Sequence, residues 1–147
     1  MIPLPPDFKD FLKLLTQHEV EYLLIGGYAV AFHGYVRYTG DMDIFIRLNP
    51  ENAERVRQVL IDFGFPESEV PSDLFLEFGR IVRMGIPPMR IEILNNISGV
   101  TFEECYERRV VQIVDDVAVN FIHLDDLKRN KTASGRTKDL NDIEHLP

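Results

Sequence analysis

The sequence has no tryptophan and one cysteine among its 147 residues, and its bases are outnumbered, 16 against 24 acids. A lone cysteine excludes an intrachain disulfide framework and a zinc site built from several thiolates. The shortage of bases argues against broad non-specific nucleic-acid binding, which depends on a cationic surface. The first residues lack the basic-then-apolar pattern of a signal peptide, and the most apolar window, residues 22–32, is too short to span a bilayer. We therefore expect a cytoplasmic protein.

Alternating and helical patterns predict one domain of mixed secondary structure. With 45% hydrophobic residues a core is available, and the length suits a single domain over residues 1–147. Helical spacing and short apolar runs predict helices near 7–18, 28–33, 50–63, 101–108, 124–133 and 137–146, and strands near 22–25, 41–48, 80–84, 89–94, 110–114 and 117–122. Because the later strands follow one another as hairpins, this order favours an α+β fold with a mixed sheet over a doubly wound parallel one.

Two short motifs carry the chemistry. Gly26-Gly27 ends an apolar run, and a glycine pair after a buried strand allows a sharp turn and close approach to a ligand. Asp41 and Asp43 follow after a gap of 13 positions and point to one face of a predicted strand. Two carboxylates on one face repel each other unless a cation lies between them. Either motif alone is more often structural, as a turn or a solvated strand edge, but their order favours a nucleotide and metal site.

The order Gly26-Gly27, gap, Asp41-Met42-Asp43-Ile44 resembles the signature of the DNA polymerase β-like nucleotidyltransferase superfamily. Residues 37–43 and the closing segment 124–143 resemble the AbiEii-type nucleotidyltransferase-like group associated with toxin–antitoxin loci. The resemblance covers most of the chain in two blocks. It implies a minimal nucleotidyltransferase fold, a mixed sheet with helices packed mainly on one face. One departure is Gly27, which stands where many members of the superfamily have a serine that touches the triphosphate.

The resemblance implies transfer of a nucleoside monophosphate from an NTP to an acceptor hydroxyl, with pyrophosphate released. Asp41 and Asp43 would then hold two Mg²⁺ ions. The superfamily usually has a third acid on a later strand, and Glu92, flanked by isoleucines, fits. Glu77 is the competing candidate. Glu92 would complete the metal site near the acceptor, either acting through the metal or serving as the base.

Backbone N–H groups of Gly26 and Gly27 would bind the β- and γ-phosphates under this reading. Lys131, Arg136 and Arg37 are the candidates for the positive charge that a triphosphate needs. The alternative for these basic side chains is that they are solvated helix ends.

The acceptor stays open between an RNA 3′ end, a protein hydroxyl and a small molecule. The toxin-like resemblance favours tRNA or protein and implies a partner antitoxin protein, whereas the net charge of −8 argues against extensive nucleic-acid contact. Two other functions compete with catalysis. One is a non-catalytic nucleotidyltransferase-like interaction protein, and the other is a plain α+β interaction domain whose acids are accidental. Metal-dependent nucleotide binding would distinguish the plain interaction domain from the other two functions. Turnover would distinguish the enzyme from the non-catalytic protein.

Overall fold

A computed structural model describes residues 3–147. Within them one sheet contains six strands, β1 Tyr22–Ile25, β2 Asp41–Ile46, β3 Ile81–Met84, β4 Arg90–Leu94, β5 Val110–Val114 and β6 Val117–Phe121. The strand order is β3-β4-β2-β1-β6-β5. The sheet is mixed, because β2 pairs with β4 and β1 with β6 in parallel while the other neighbours are antiparallel.

The helices of the described residues are α1 Pro6–Gln17, α2 Gly26–Phe32, α3 Pro50–Phe63, α4 Phe102–Glu107, α5 Leu124–Ser134 and α6 Thr137–His145, with a 3-10 turn at Glu67–Glu69. The predicted α+β class and mixed sheet are confirmed, and every predicted element lies within two residues of its observed bounds. The largest shift is in α2, which begins at Gly26 because the φ of +63° there turns the chain directly from strand into helix. Over residues 3–147, no helix combines the length and apolar character needed to cross a membrane.

The core forms around β1, whose four residues are all buried. Side chains of a strand alternate between the two faces, so β1 is covered on both sides. Helix α1 packs on its neighbours through aromatic edges, with Phe8 against Tyr28 at 5.8 Å and Phe11 against Phe63 at 5.2 Å between ring centroids. These contacts join α1 to α2 and to α3, and because α2 begins at the turn that follows β1, they help to hold that turn.

Strand pairing brings the sequence motifs together. The antiparallel β1–β2 pair places Ile25 opposite Asp43, next to the glycine turn. The parallel β2–β4 pair places Glu92 opposite Asp43 and Arg90 opposite Asp41. Residues in register on neighbouring strands share a face of the sheet, so the acids meet at one place between the glycine turn and β4.

Candidate active site

Three carboxylates converge on the sheet. Asp41, Asp43 and Glu92 each offer an oxygen, and these oxygens lie within 4.8 Å of one another. The structure thus brings the three predicted acids together. Glu77 lies apart from them in an exposed stretch before β3, where its carboxylate is 3.4 Å from Arg80. Glu92, not Glu77, is the third acid of the cluster.

Asp43 is the carboxylate with the least compensation. Its Oδ1 atom is buried, and it has no hydrogen-bond partner within residues 3–147. Burial, followed by the negative charges of Glu92 and Asp41, raises the pKa of Asp43 from 3.8 to about 7. A carboxylate held in this way is stabilised by a cation, because a cation supplies both the missing ligand and the missing charge.

Two arginines that sequence reasoning missed neutralise the other acids. Arg90 donates to both oxygens of Asp41, from Nε at 2.7 Å and from Nη2 at 3.0 Å. Arg83 on β3 donates from Nε to Glu92 Oε1 at 2.8 Å. A signal was available for Arg90, which stands two residues before Glu92 and so shares its face of the strand. Arg83 needed the β3–β4 register, which places it opposite Glu92.

The glycine turn lies directly against the acids. A Cβ atom on Gly26 would be 2.1 Å from Asp43 Oδ2, a distance no side chain tolerates. A Cβ atom on Gly27 would be 2.4 Å from the hydroxyl oxygen of Thr39, so Thr39 fills the space that a side chain at position 27 would take. The Thr39 hydroxyl donates to the carbonyl of Asp41 at 3.0 Å. Gly26 is thus required by its φ of +63° and by close approach, and Gly27 by close approach alone.

The three basic residues predicted to bind phosphate belong to one ion-pair network beside this turn. Lys131, itself buried, places Nζ 2.9 Å from Asp142 and 3.4 Å from Asp139. Arg37 donates to both oxygens of Asp142 at 2.7 Å, and Arg136 donates to Asp139 at 2.8 Å. The structure brings all three to the site, but it also gives each an acidic partner. Their role as triphosphate ligands stays a prediction.

The network holds its two aspartates ionised. Burial would raise the pKa of Asp139, but hydrogen bonds from Arg136 and Ser134 and the charge of Lys131 outweigh it and lower that pKa to about 2. At Asp142 burial acts in the same direction, and hydrogen bonds from Arg37 and Lys131 again lower the pKa. The network therefore ties α5, α6 and the segment before β2 together through full charges.

We expect Asp142→Ala to destabilise the protein by about 3 kcal/mol, because it leaves the buried Lys131 and the Arg37 guanidinium short of a partner. The free energy of unfolding in urea measures this. Glu67→Gln is the matched control, since Glu67 is exposed and pairs with Arg57 at 3.3 Å on the surface; it should change stability by less than about 0.5 kcal/mol. Equal effects of the two substitutions would contradict a structural role for the network.

Lys138 is the basic residue that the predicted set omitted and that the geometry favours. Its side chain is exposed, faces the acids and forms no ion pair within residues 3–147. Its charge also acts to lower the pKa of Asp43, against the larger effects that raise it. Lys138 is easily overlooked in the sequence, because it follows Thr137 and has the position of an ordinary first-turn residue of α6.

Two cavities meet at the acids. The smaller, of about 380 Å³, lies over Gly26, Gly27 and Thr39. The larger, of about 660 Å³, extends across β4 and β3 past Glu92. Both are lined by Gly26, Asp41, Asp43, Lys131, Arg136 and Lys138. The acids therefore stand between two spaces, each of a size that admits a small ligand.

A glycine turn facing three converging carboxylates on a mixed sheet is the arrangement of a nucleotidyltransferase. A sequence profile described as "Nucleotidyltransferase of unknown function (DUF6036)" matches residues 7–146, and the chain belongs to this family. No curated protein matches the chain in sequence.

Two solved structures share the fold. A candidate nucleotidyltransferase from Thermotoga maritima aligns with a TM-score of 0.63 at 14% identity, over 92% of this chain and 87% of its own. An antigenic nucleotidyltransferase-like protein from Paracoccidioides brasiliensis aligns with a TM-score of 0.54 at 16% identity, over 98% of this chain and 76% of its own. At these identities the likeness concerns the fold alone. Family and fold together assign a general nucleotidyltransferase class.

Proposed function

We propose that this protein is a divalent-metal-dependent enzyme that transfers a nucleoside monophosphate from an NTP to an acceptor hydroxyl. The observation that carries the proposal is Asp43, whose buried Oδ1 lacks a partner in residues 3–147 although two further carboxylates lie beside it. Arg90 and Arg83 pair with the other two acids and leave the Asp43 oxygen without a partner in residues 3–147. A divalent cation would supply that partner, and the family supplies the reaction class.

The donor set fits magnesium. Mg²⁺ prefers oxygen ligands and is commonly held by one or two carboxylates together with substrate phosphates. Asp41, Asp43 and Glu92 would hold two such ions, which supply charge stabilisation to the phosphoryl group being transferred. In this proposal Asp43 is the central acid of the three, because it lies between the glycine turn and Glu92.

The triphosphate would lie in the smaller cavity. Gly26 and Gly27 line this cavity and carry no side chain of their own, so we assign their backbone N–H groups to the phosphates. Lys138 is placed to pair with phosphate oxygens, since it lines the cavity with no acidic partner in residues 3–147. Thr39 offers a hydroxyl at the place where a serine side chain at position 27 would have put one.

The acceptor would lie in the larger cavity, on the Glu92 side. Its hydroxyl oxygen attacks the α-phosphorus and forms a phosphate ester, while the bond between the α-phosphorus and the bridging oxygen to the β-phosphate breaks. Pyrophosphate leaves with that bridging oxygen. The hydroxyl proton passes to Glu92 or to solvent, so that charge and atoms balance. Asp41 and Asp43 would hold the cations and form no covalent bond to the phosphate.

The finer biological role rests on the sequence resemblance to the AbiEii-type group. That resemblance supports a toxin whose acceptor is a cellular macromolecule such as tRNA or protein, and an antitoxin protein as partner. Expression of the wild-type chain should then slow growth of a bacterial host, and Asp43→Asn should relieve the effect. Normal growth under strong expression would contradict the toxin role without touching the transfer activity.

The test of the proposed function uses purified protein with each of the four NTPs and Mg²⁺. Binding of an NTP should raise the melting temperature, because a ligand that binds only the native state stabilises it by mass action. Incubation with α-³²P-labelled NTP and total RNA or cell protein should then label an acceptor and release pyrophosphate. Absence of any stabilisation at millimolar NTP would overturn the proposal. Stabilisation without labelled product would favour the non-catalytic nucleotide-binding alternative.

Thr39 and Gly27 provide an internal check on where the triphosphate lies. We expect Gly27→Ser alone to weaken NTP binding about tenfold or more, because its Cβ would collide with the Thr39 side chain. The double variant Gly27→Ser with Thr39→Gly should recover most of the affinity, since it removes both Thr39 atoms that the new Cβ would meet, Oγ1 at 2.4 Å and Cβ at 2.6 Å, and returns a hydroxyl to the same space. Calorimetric titration with an NTP and Mg²⁺ measures both. No recovery in the double variant would contradict the assigned role of Thr39.

A further inference from the structure

Two guanidinium groups lie on the side of the acids away from the glycine turn. Arg83 is on β3 and Arg90 on β4, and the register that places Arg83 opposite Glu92 makes them close neighbours. Both line the larger cavity, and neither lines the smaller one. Because β2 separates β4 from β1, the acids stand between these arginines and Gly26. The arginines thus face the space assigned above to the acceptor.

Their present partners are the oxygens that a cation would need. Arg90 takes both oxygens of Asp41, and Arg83 takes Oε1 of Glu92. Arg90 Nη2 also lies 3.5 Å from the Glu92 carboxylate. A divalent cation bound to Asp41 competes with the guanidinium for the same lone pairs and repels its charge. Arg90 must therefore leave Asp41, at least in part, when the cation binds.

The released guanidinium needs an anionic partner within its reach. The larger cavity also has polar groups from Asn96, Ser98 and Asn130. Among residues 3–147 its one carboxylate outside the acid cluster is Asp139, which already pairs with Lys131 and Arg136 and so is not available to the released guanidinium. A planar guanidinium pairs best with a carboxylate or a phosphate, through two parallel hydrogen bonds.

We propose that Arg83 and Arg90 bind a phosphate group of the acceptor, and that Arg90 passes from Asp41 to this phosphate when a divalent cation takes the Asp41 carboxylate. The inference rests on the proposed function, because it assumes that the acids hold a cation and that the larger cavity holds the acceptor. It narrows the acceptor to a phosphate-bearing molecule, and it makes the two arginines determinants of specificity.

The cation step is tested without any nucleotide. Binding of Mn²⁺ is followed by the loss of the electron paramagnetic resonance signal of the free ion. Arg90→Gln should raise Mn²⁺ affinity about threefold or more, the scale of a partly exposed ion pair. Arg80→Gln removes the same charge from a position just before β3, outside the cavity, and should leave the affinity unchanged. Equal affinity in wild type and Arg90→Gln would overturn the competition between Arg90 and the cation.

The phosphate step is tested by calorimetry with the nucleotide site filled. The wild-type protein is saturated with Mg²⁺ and an NTP analogue whose α–β bridging oxygen is a methylene group. Inorganic phosphate, a dinucleoside monophosphate with a free 3′-hydroxyl, and an uncharged nucleoside are then titrated separately. Arg83→Gln and Arg90→Gln should each weaken binding of a phosphate-bearing probe about tenfold, the effect of losing one charged hydrogen-bonding group. Affinity for the analogue itself should change little.

The outcomes separate this inference from the proposed function. If both phosphate probes bind, the phosphate group alone determines binding of the acceptor. If the dinucleoside monophosphate is the one phosphate probe that binds, the acceptor is the end of a nucleic acid. Loss of analogue binding in the arginine variants would place them on the triphosphate and overturn the inference. Binding of the uncharged nucleoside as tightly as the phosphate probes would overturn it as well. If wild type binds no analogue, the proposed function fails. The Mn²⁺ titration still decides whether Arg90 competes with a cation for Asp41.

Discussion

Asp43→Asn is expected to reduce the rate of nucleotidyl transfer by about a hundredfold or more while leaving the fold intact. The substitution keeps the size and shape of the side chain and removes the negative charge at the centre of the cluster. Loss of one carboxylate from a metal clamp removes several kcal/mol of transition-state stabilisation, and each 1.36 kcal/mol is about a factor of ten in rate. The measurement is the initial rate of labelled product formation at saturating NTP and Mg²⁺.

Glu77→Gln is the matched control for this experiment. It also removes one carboxylate charge, but from an exposed position where the partner is Arg80 and not a member of the cluster. The rate of this variant should stay within about twofold of wild type, as for a surface substitution that shifts free energies by less than about 0.5 kcal/mol. A rate for Asp43→Asn above one tenth of wild type, or a loss of activity in Glu77→Gln, would contradict the assigned site.

The elements could be predicted because local patterns encode them, whereas the third acid was sought only because the superfamily that the sequence resembles usually has one. Glu92 was distinguishable from Glu77 since isoleucines flank it in a regular alternation, which predicts a buried strand with one inward acid. The glycine pair predicted the turn between β1 and α2. In each case the informative residues lie within a few positions of one another, so no knowledge of distant packing was needed.

The electrostatic roles within the site could not be predicted, because they depend on contacts between distant residues. From the sequence Asp41 and Asp43 look equivalent, but the parallel β2–β4 register gives Asp41 the Arg90 guanidinium and leaves Asp43 Oδ1 without a partner in residues 3–147. Similarly, Arg37 and Asp142 are 105 positions apart, so their pairing was not readable from local spacing.

Contacts between distant residues also change which basic residue is favoured as a phosphate ligand. In the sequence Lys131 was a candidate phosphate ligand because it lies three residues after Lys128, on the same face of a predicted helix. In the structure Lys131 is buried between two aspartates, while Lys138 is exposed over the acids. A buried lysine with two partners releases little free energy on meeting a phosphate, because it must first give up interactions of similar strength. Lys138 has no acidic partner to give up within residues 3–147.

Asp43→Asn should also change how stability depends on pH in the absence of metal. The native pKa of Asp43 is about 7 against an ordinary value of 3.8, so between these values the native state binds more protons than the unfolded state. The free energy of unfolding contributed by this group therefore falls as the pH rises through that window. The asparagine cannot ionise, so the variant should match wild type near pH 4 and be more stable near pH 8 by about 4 kcal/mol, which is the difference between 3.8 and about 7 taken at 1.36 kcal/mol per pKa unit.

Urea denaturation in the presence of EDTA from pH 4 to pH 8 measures this difference. Asp73→Asn, a substitution at an exposed acid in the turn before β3, serves as the control and should run parallel to wild type throughout. Adding Mg²⁺ at pH 8 should stabilise wild type and not Asp43→Asn, because only the ionised carboxylate gains a counter-charge. Identical pH profiles for wild type and Asp43→Asn would show that the Asp43 charge is compensated in the metal-free protein, and the case for a cation at this carboxylate would lose its main support.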